Sequence, residues 1–215
     1  PGAPLLYGGI PGMANMNTMG YCGGGVECGM MNAAIHQMAG YIRVPNYNSA
    51  GLSDSKLPDA QAGYEKAFTT VLAAMGGSNY IHHSAGMLES MLTIAHEQFV
   101  IDDEIIGNCC RVLKGIDVDA DHLALEVIKS VGPGGNFMTS PHTIEHIRSE
   151  YYNSNGVTDR KNRDKWEAEG GLDARKRALN IARKLLSRQK PSYIPASIDA
   201  AIRKKNNILI PRVPS

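Results

Sequence analysis

The sequence predicts an α/β fold, with a parallel sheet in its first half and helices alone in its second. Two observations carry this. Residues 1–115 hold three consecutive strand, loop and helix units joined by connections of 2 to 12 residues, an alternation that implies parallel strands with right-handed crossovers. From 116 to 215 the apolar spacing is helical throughout and ends in a basic tail. At 215 residues and 43% hydrophobic, the chain can bury a sizeable core as one or at most two domains.

In the first unit, residues 4–9 (PLLYGG) read as a short buried strand, and the glycine-rich stretch 20–25 leads into a small-residue helix over 26–41. The second unit places a strand at 44–48 and a polar loop at 49–58. Asp59 then caps a helix that runs to Met75, where Gly76 and Gly77 stop it. The third has a strand at 78–83, a loop at 84–93 and a helix over 95–113 closed by Gly115. Beyond it, Asp119 or Asp121 caps a helix to Val131, and further helices are predicted near 142–152, 160–168, 173–188 and 196–205. Three units cannot close an eight-stranded barrel, which takes about 250 residues. An open doubly wound sheet is the structural competitor, but no GxGxxG follows the first strand. The Gly23-Gly24-Gly25 run lacks that spacing and the lysine of a phosphate loop. The chain opens on proline directly at a strand, so a piece of a longer polypeptide is expected, with an amino-terminal barrel half or remainder elsewhere.

Composition narrows the function classes. No run approaches the roughly 18 apolar residues of a membrane span, and the first residues lack signal-peptide character, so no membrane association and a cytoplasmic protein are expected. Cys22, Cys28, Cys109 and Cys110 form no CxxC pair and are read as reduced thiols. The net charge of +1 hides an asymmetry. From Arg175 to Ser215 eleven Lys/Arg face one acid, whereas the first 174 residues have eleven basic and twenty acidic side chains. Without aromatic interleaving the basic tail reads as a solvated helix face, ahead of docking to an acidic partner; nucleic acid is not expected.

Sites in parallel β/α architectures lie at the carboxyl ends of the strands. The three loops there carry Tyr7, Tyr21 and Glu27; Tyr47, Asn48, Ser53, Asp54 and Lys56; and His82, His83, Glu89, His96 and Glu97. His82, His83, His96 and Glu97 are metal-ligand types. Adjacent strand residues such as His82 and His83 should point to opposite faces, however, and HEXXH spacing is absent, so no metal is expected. One of the two histidines is read as packed against the neighbouring helix. No G-x-S-x-G elbow supports serine hydrolysis. Met13, Met16, Met19, Met30 and Met31 read as flexible packing.

An ordered series of segments goes further. Glu27 with Asn32-Ala33-Ala34, then the run from Ala50 through Leu52-Ser53-Asp54-Ser55-Lys56 to Pro58-Asp59-Ala60-Gln61-Ala62-Gly63, follow the opening PGAPLLYGG in that order. Ser84-Ala85-Gly86-Met87-Leu88-Glu89 with Glu97-Gln98 and Ile101-Asp102 comes next, then Val131-Gly132-Pro133-Gly134-Gly135-Asn136-Phe137 with His142-Thr143 and Asp159-Arg160. Together they resemble the carboxy-terminal part of the trimethylamine methyltransferase family, over residues 1 to about 186, with 53–63 the most specific stretch. The resemblance implies that residues 1–115 are three units of a (β/α)8 TIM-type barrel and 116–215 a helical extension. It also implies a separate corrinoid protein as partner and carrier of the cobalamin cofactor, and a homo-oligomer. In the trimethylamine enzymes pyrrolysine stands just before the Ser-Asp-small-Lys motif. Here that position is Leu52, which has no electrophilic imine, so the chain is similar to the non-pyrrolysine branch that demethylates glycine betaine and related quaternary amines.

A quaternary ammonium already carries its charge, so loss of a methyl group to Co(I) needs no proton donor and mainly requires orientation. Such a cation calls for aromatic faces and a nearby carboxylate. Tyr7, Tyr21 and Tyr47 are candidates for the first, and Asp54, Glu27 and Glu89 for the second. His83 or Lys56 is available for a substrate carboxylate. Tyr7, Tyr47 and His83 are expected to line one cavity. The alternatives are a trimethylamine:corrinoid methyltransferase and a non-catalytic partial barrel that holds an amine or the corrinoid protein.

Overall fold

The computed structural model describes residues 2–188 and 193–209. In chain order the elements are β1 (Tyr7–Gly9), β2 (Met13–Ala14), β3 (Tyr21–Cys22), α1 (Val26–Tyr41), β4 (Asn46–Ser49), α2 (Ala60–Met75), β5 (Tyr80–His82), β6 (Met87–Leu88), a 3-10 turn (Glu89–Met91), β7 (Thr93–Ile94) and α3 (His96–Lys114). Then follow α4 (Ala120–Leu123), α5 (Leu125–Val131), α6 (Pro141–His146), α7 (Arg163–Ala168), α8 (Ala174–Leu186) and α9 (Ala196–Asn206).

β1, β4 and β5 form one parallel sheet in that order, with Gly8 opposite Tyr47 and Tyr47 opposite Tyr80. The strand order is sequential, as in a singly wound arrangement, and α1 packs on α2 and α2 on α3. No reversal of strand order, the mark of a doubly wound sheet, occurs in these three units. Close approach of α1 and α2 depends on Gly29 and Gly76, where an added Cβ would lie 3.2 Å from Thr69 Cα and 2.7 Å from Ala33 Cα, respectively. The Asp59 side chain caps α2 by accepting from Ala62 N at 3.1 Å, and Gly115 closes α3 with φ +72°. Both ends fall where local chemistry places them.

Three features depart from the sequence reading. Two antiparallel hairpins, β2–β3 and β6–β7, stand in segments read as loops. The helix expected over 119–131 breaks at Ala124, whose φ is +47°. The one expected at 142–152 is the shorter α6.

The carboxy-terminal helices do not form a core of their own. Ala178 and Ala182 of α8 pack with Val100 of α3 and Val157, so the apolar face of α8 is buried while Arg175 pairs with Glu97 at 3.3 Å. α4, α5 and α6 contain no fully buried residue. Among the described residues no helix is long and apolar enough to cross a membrane. The four cysteines are unpaired. Residues 189–192 and 210–215 of the basic tail lie outside the described residues.

Candidate functional site

The loops at the carboxyl ends of β1, β4 and β5 meet around the segment Leu52–Lys56. Helix α2 grips this segment with two consecutive charged residues. The Glu65 carboxylate accepts from Ser53 Oγ at 2.7 Å and Asp54 N at 2.8 Å, and Gln61 donates to its other oxygen at 2.9 Å. Lys66 Nζ donates to the carbonyl of Gly51 at 2.6 Å and pairs with Asp102 of α3 at 3.1 Å. Asp102 in turn accepts from Gly86 N and Gln98 Nε2, each at 2.7 Å. Both charged side chains of the pair are about 1% exposed. Burial is the dominant influence on each, pushing the Lys66 ammonium down and the Asp102 carboxyl up, and their mutual attraction opposes it. The pair thus ties the second loop to the third from beneath.

The third loop docks onto the second through its backbone. Glu89 N donates to Ser55 O and Ser90 N to Ser53 O, both at 2.8 Å. Glu89, Ser90 and Met91 have φ of +49°, +48° and +78°. Three successive non-glycine residues in the left-handed region cost on the order of 1–3 kcal/mol each, and these docking bonds hold them there. Asp54 completes the assembly, because its Oδ1 accepts from Gly23 N at 3.0 Å and from Ser90 Oγ, joining all three loops. Among the described residues, no backbone N–H or hydroxyl donates to its Oδ2.

An open cleft of about 490 Å³ lies above this junction, lined by Tyr21, Asp54, Lys56, Glu89, Ser90 and Leu92 among others. Asp54 and Glu89 supply carboxylates, Tyr21 an aromatic ring, and Lys56 an ammonium whose Nζ donates to Asp54 O at 2.9 Å. Glu89 Oε2 accepts from Thr93 Oγ1 at 2.7 Å. Burial, then the nearby Cys28 and Asp54, raises the Tyr21 phenol above its ordinary value, so it stays neutral. Leu52 is 2% exposed and forms part of the support under the cleft, against Gly23, rather than its lining.

The other sequence candidates lie outside this cleft. Tyr7 pairs in register with Asn46 and Gly8 with Tyr47, so strand alternation sends the Tyr7 and Tyr47 rings to opposite faces of the sheet. The single cavity expected for Tyr7, Tyr47 and His83 does not form. Tyr47 lies over Gly8 with its ring edge-on to His82 at 5.0 Å, and His83 Nδ1 is 2.7 Å from Ser49 Oγ. Glu27 is exposed in the first turn of α1, where its charge complements the helix dipole. The opposed orientation expected for His82 and His83 is also corrected. Positive φ at His83 (+63°) ends the alternation, and the two rings stack at 4.1 Å. Glu65 and Lys66 carry no sequence signal that marks them, and Asp102 entered only within the segments that carry the resemblance. His142 entered in the same way and His146 not at all, although their i, i+4 spacing was a usable signal.

A cleft with two carboxylates, one aromatic ring and one ammonium lies at the carboxyl ends of parallel strands, where α/β proteins place their ligand sites, and its composition suits a charged, hydrophilic ligand. Comparison with known sequences makes this specific: residues 1–207 match the trimethylamine methyltransferase (MTTB) family profile, and the chain belongs to that family. It is 36% identical over 203 residues to the glycine betaine methyltransferase of Desulfitobacterium hafniense strain Y51, covering 94% of this chain and 42% of the relative. To trimethylamine methyltransferase MttB of D. hafniense strain DSM 10664 / DCB-2 it is 38% identical, covering 94% and 40%. For MttB of Methanosarcina barkeri strain Fusaro / DSM 804 the identity is 34%, covering 92% and 39%. The chain therefore spans about 40% of the length of these curated relatives.

Proposed function

We propose that this chain is the carboxy-terminal part of a barrel methyltransferase that takes a methyl group from a zwitterionic quaternary amine of the glycine betaine type and passes it to the Co(I) of a separate corrinoid protein. The observation that carries the substrate choice is Lys56 beside Asp54 and Glu89 in one cleft. Trimethylamine offers nothing for an ammonium side chain to bind. A betaine offers both partners: its quaternary nitrogen to Asp54, Glu89 and the Tyr21 face, and its carboxylate to Lys56. The identities to the betaine and trimethylamine relatives, 36% and 38%, do not separate the two. Leu52 supports the same reading, since a buried leucine at the position resembling that of pyrrolysine has no imine with which to activate a tertiary amine.

A separate corrinoid protein would supply the nucleophile as Co(I), and a neutral tertiary amine would leave from the methyl carbon with the C–N electron pair. The chain's own residues bind and orient. Asp54 is fixed through Oδ1 by Gly23 and Ser90, and its charge is offered to the cation. Exposed Leu92 adds an apolar side chain to the lining.

The test is methyl transfer by the full-length polypeptide to Co(I) corrinoid protein across a panel of amines, followed by the cobalt visible spectrum. Turnover of betaine, its affinity falling by roughly 10-fold or more in Lys56→Gln, is the expected result. Turnover of trimethylamine but not betaine rejects the reading. Asp54→Asn keeps the hydrogen-bond acceptor and removes the charge, so weaker amine binding at an unchanged melting temperature is expected. A large fall in melting temperature with unchanged affinity would assign Asp54 to loop structure alone.

A further inference from the structure

We infer that the helical extension holds a zinc ion between α4 and α6, bound by Asp121, His142 and His146. His142 and His146 lie one turn apart on the same face of α6. Asp121 reaches them from α4: its Oδ2 is 2.9 Å from His146 Nε2, and His142 Nε2 lies 2.9 Å from its carbonyl oxygen and 3.6 Å from its Oδ1, so a metal would take the place of that carbonyl as the partner of His142. The three ligand atoms lie within 4.8 Å of one another. Tetrahedral zinc with bonds of about 2.0–2.1 Å sets its ligand atoms roughly 3.3 Å apart, a spacing inside that limit. Two imidazoles and a carboxylate are a zinc donor set that leaves one position for water or a further ligand.

Two more observations point to the same place. The histidine rings are shielded, at 23% and 19% exposure. They also form one wall of a cavity of about 490 Å³ that includes Met138, Ile147 and Tyr151, toward which an open coordination position can face. The neighbouring combination of His122, His146 and Glu150 is less suited. Glu150 is already paired with Arg111 at 3.3 Å and Lys114 at 2.7 Å, and His122 Nδ1 is 2.8 Å from Asp119. The Asp121 site lies well apart in sequence from the amine cleft and does not rest on the methyltransferase reading.

The experiment is calorimetric titration of Zn²⁺ into chelator-stripped full-length polypeptide, with Co²⁺ as a spectroscopic stand-in. The expected result is one zinc per chain with micromolar or tighter affinity, visible Co²⁺ bands of a tetrahedral site, and a melting temperature that rises with zinc. Affinity should fall on the order of 100-fold in His142→Gln and in His146→Gln, while exposed His96→Gln binds as the parent does. Asp121→Asn, at an exposed position, removes the carboxylate and should weaken zinc binding while the zinc-free melting temperature stays as in the parent. Three results would overturn the site: no uptake at micromolar zinc, uptake that persists in His142→Gln and His146→Gln, or uptake lost in His96→Gln.

Discussion

Removing one charge of the Lys66–Asp102 pair should destabilise the fold far more than removing both. Each side chain is about 1% exposed and the two are 3.1 Å apart, so Asp102→Asn leaves a buried ammonium without its counter-charge. Breaking such a pair typically costs about 3–5 kcal/mol. At roughly 2–4 °C per kcal/mol for a domain of this size, the melting temperature should fall by roughly 6–20 °C. Lys66→Met should cost a similar amount, since it strands the Asp102 carboxylate and frees the Gly51 carbonyl that Lys66 holds at 2.6 Å. In the double variant neither charge remains. The amide that Asp102→Asn introduces would still accept from Gly86 or Gln98, leaving chiefly one unsatisfied carbonyl, at about 1–3 kcal/mol. The double variant should thus be at least as stable as either single one in urea unfolding with unchanged m. Additive losses would refute the reasoning, because they would mean that the two charges contribute independently. On the proposed function, the single variants should also weaken amine binding, since the pair joins the loops that carry Asp54 and Glu89.

Two further predictions concern acid. Asp59 caps α2, and its carboxyl lies below its ordinary value because Ala62 N, then Ser55 Oγ, donate to it. A folded-state value below the unfolded one gives stability that is present above the unfolded pKa and lost as pH falls through the folded one. Asp59→Ala should cost about 0.5–2 kcal/mol at pH 7 and less at pH 3, which paired thermal melts would show; an equal cost at both would exclude the ionised cap. His36 is 1% exposed, and burial lowers its pKa from 6.5. The fold therefore favours the neutral ring, and stability should decline as pH drops below 6.5 until the folded-state value is reached. The decline should be shallower in His36→Leu, measured by chemical unfolding between pH 7.5 and 5.5. An unchanged slope would assign the loss to other groups.

What could be read from sequence divides by the range of the interactions involved. Helix α2 was legible from Asp59 to Gly76 because its cap and its stop are written within a few residues of each end. The parallel order of β1, β4 and β5 followed from the repeat of units alone. By contrast, nothing near Glu89, Ser90 or Met91 forecasts positive φ. That conformation is held by Ser53 and Ser55, some 35 residues away. Lys66 and Asp102 could not be matched from sequence because only the packing of α2 on α3 brings them together. Tyr7 and Tyr47 failed as a pair for a different reason: placing a cage demands the register of β1 on β4, and a shift of one residue reverses every face. Asp54, Lys56 and Glu89 met in one cleft because they lie in loops beyond the strand ends, where alternation no longer applies.

The construction of that cleft fits a chemistry governed by position. In the proposed reaction no proton is transferred by the chain, and rate depends on holding a methyl carbon in line between nitrogen and an approaching nucleophile, where small displacements are costly. Loops alone would hold it poorly. Here the loop after β4 is fixed by Glu65 and Lys66, adjacent residues on one helix, whose side chains leave its axis about 100° apart. They therefore reach the segment from two directions, Glu65 at Ser53 and Asp54 N and Lys66 at Gly51 O. The strained turn at Glu89–Met91 is then set against this fixed segment rather than against solvent. Asp54 links the two through one carboxylate oxygen. On the proposed function the same residue serves order and binding, so its charge and its hydrogen bonds must be separated, by Asn rather than Ala, before either role can be measured.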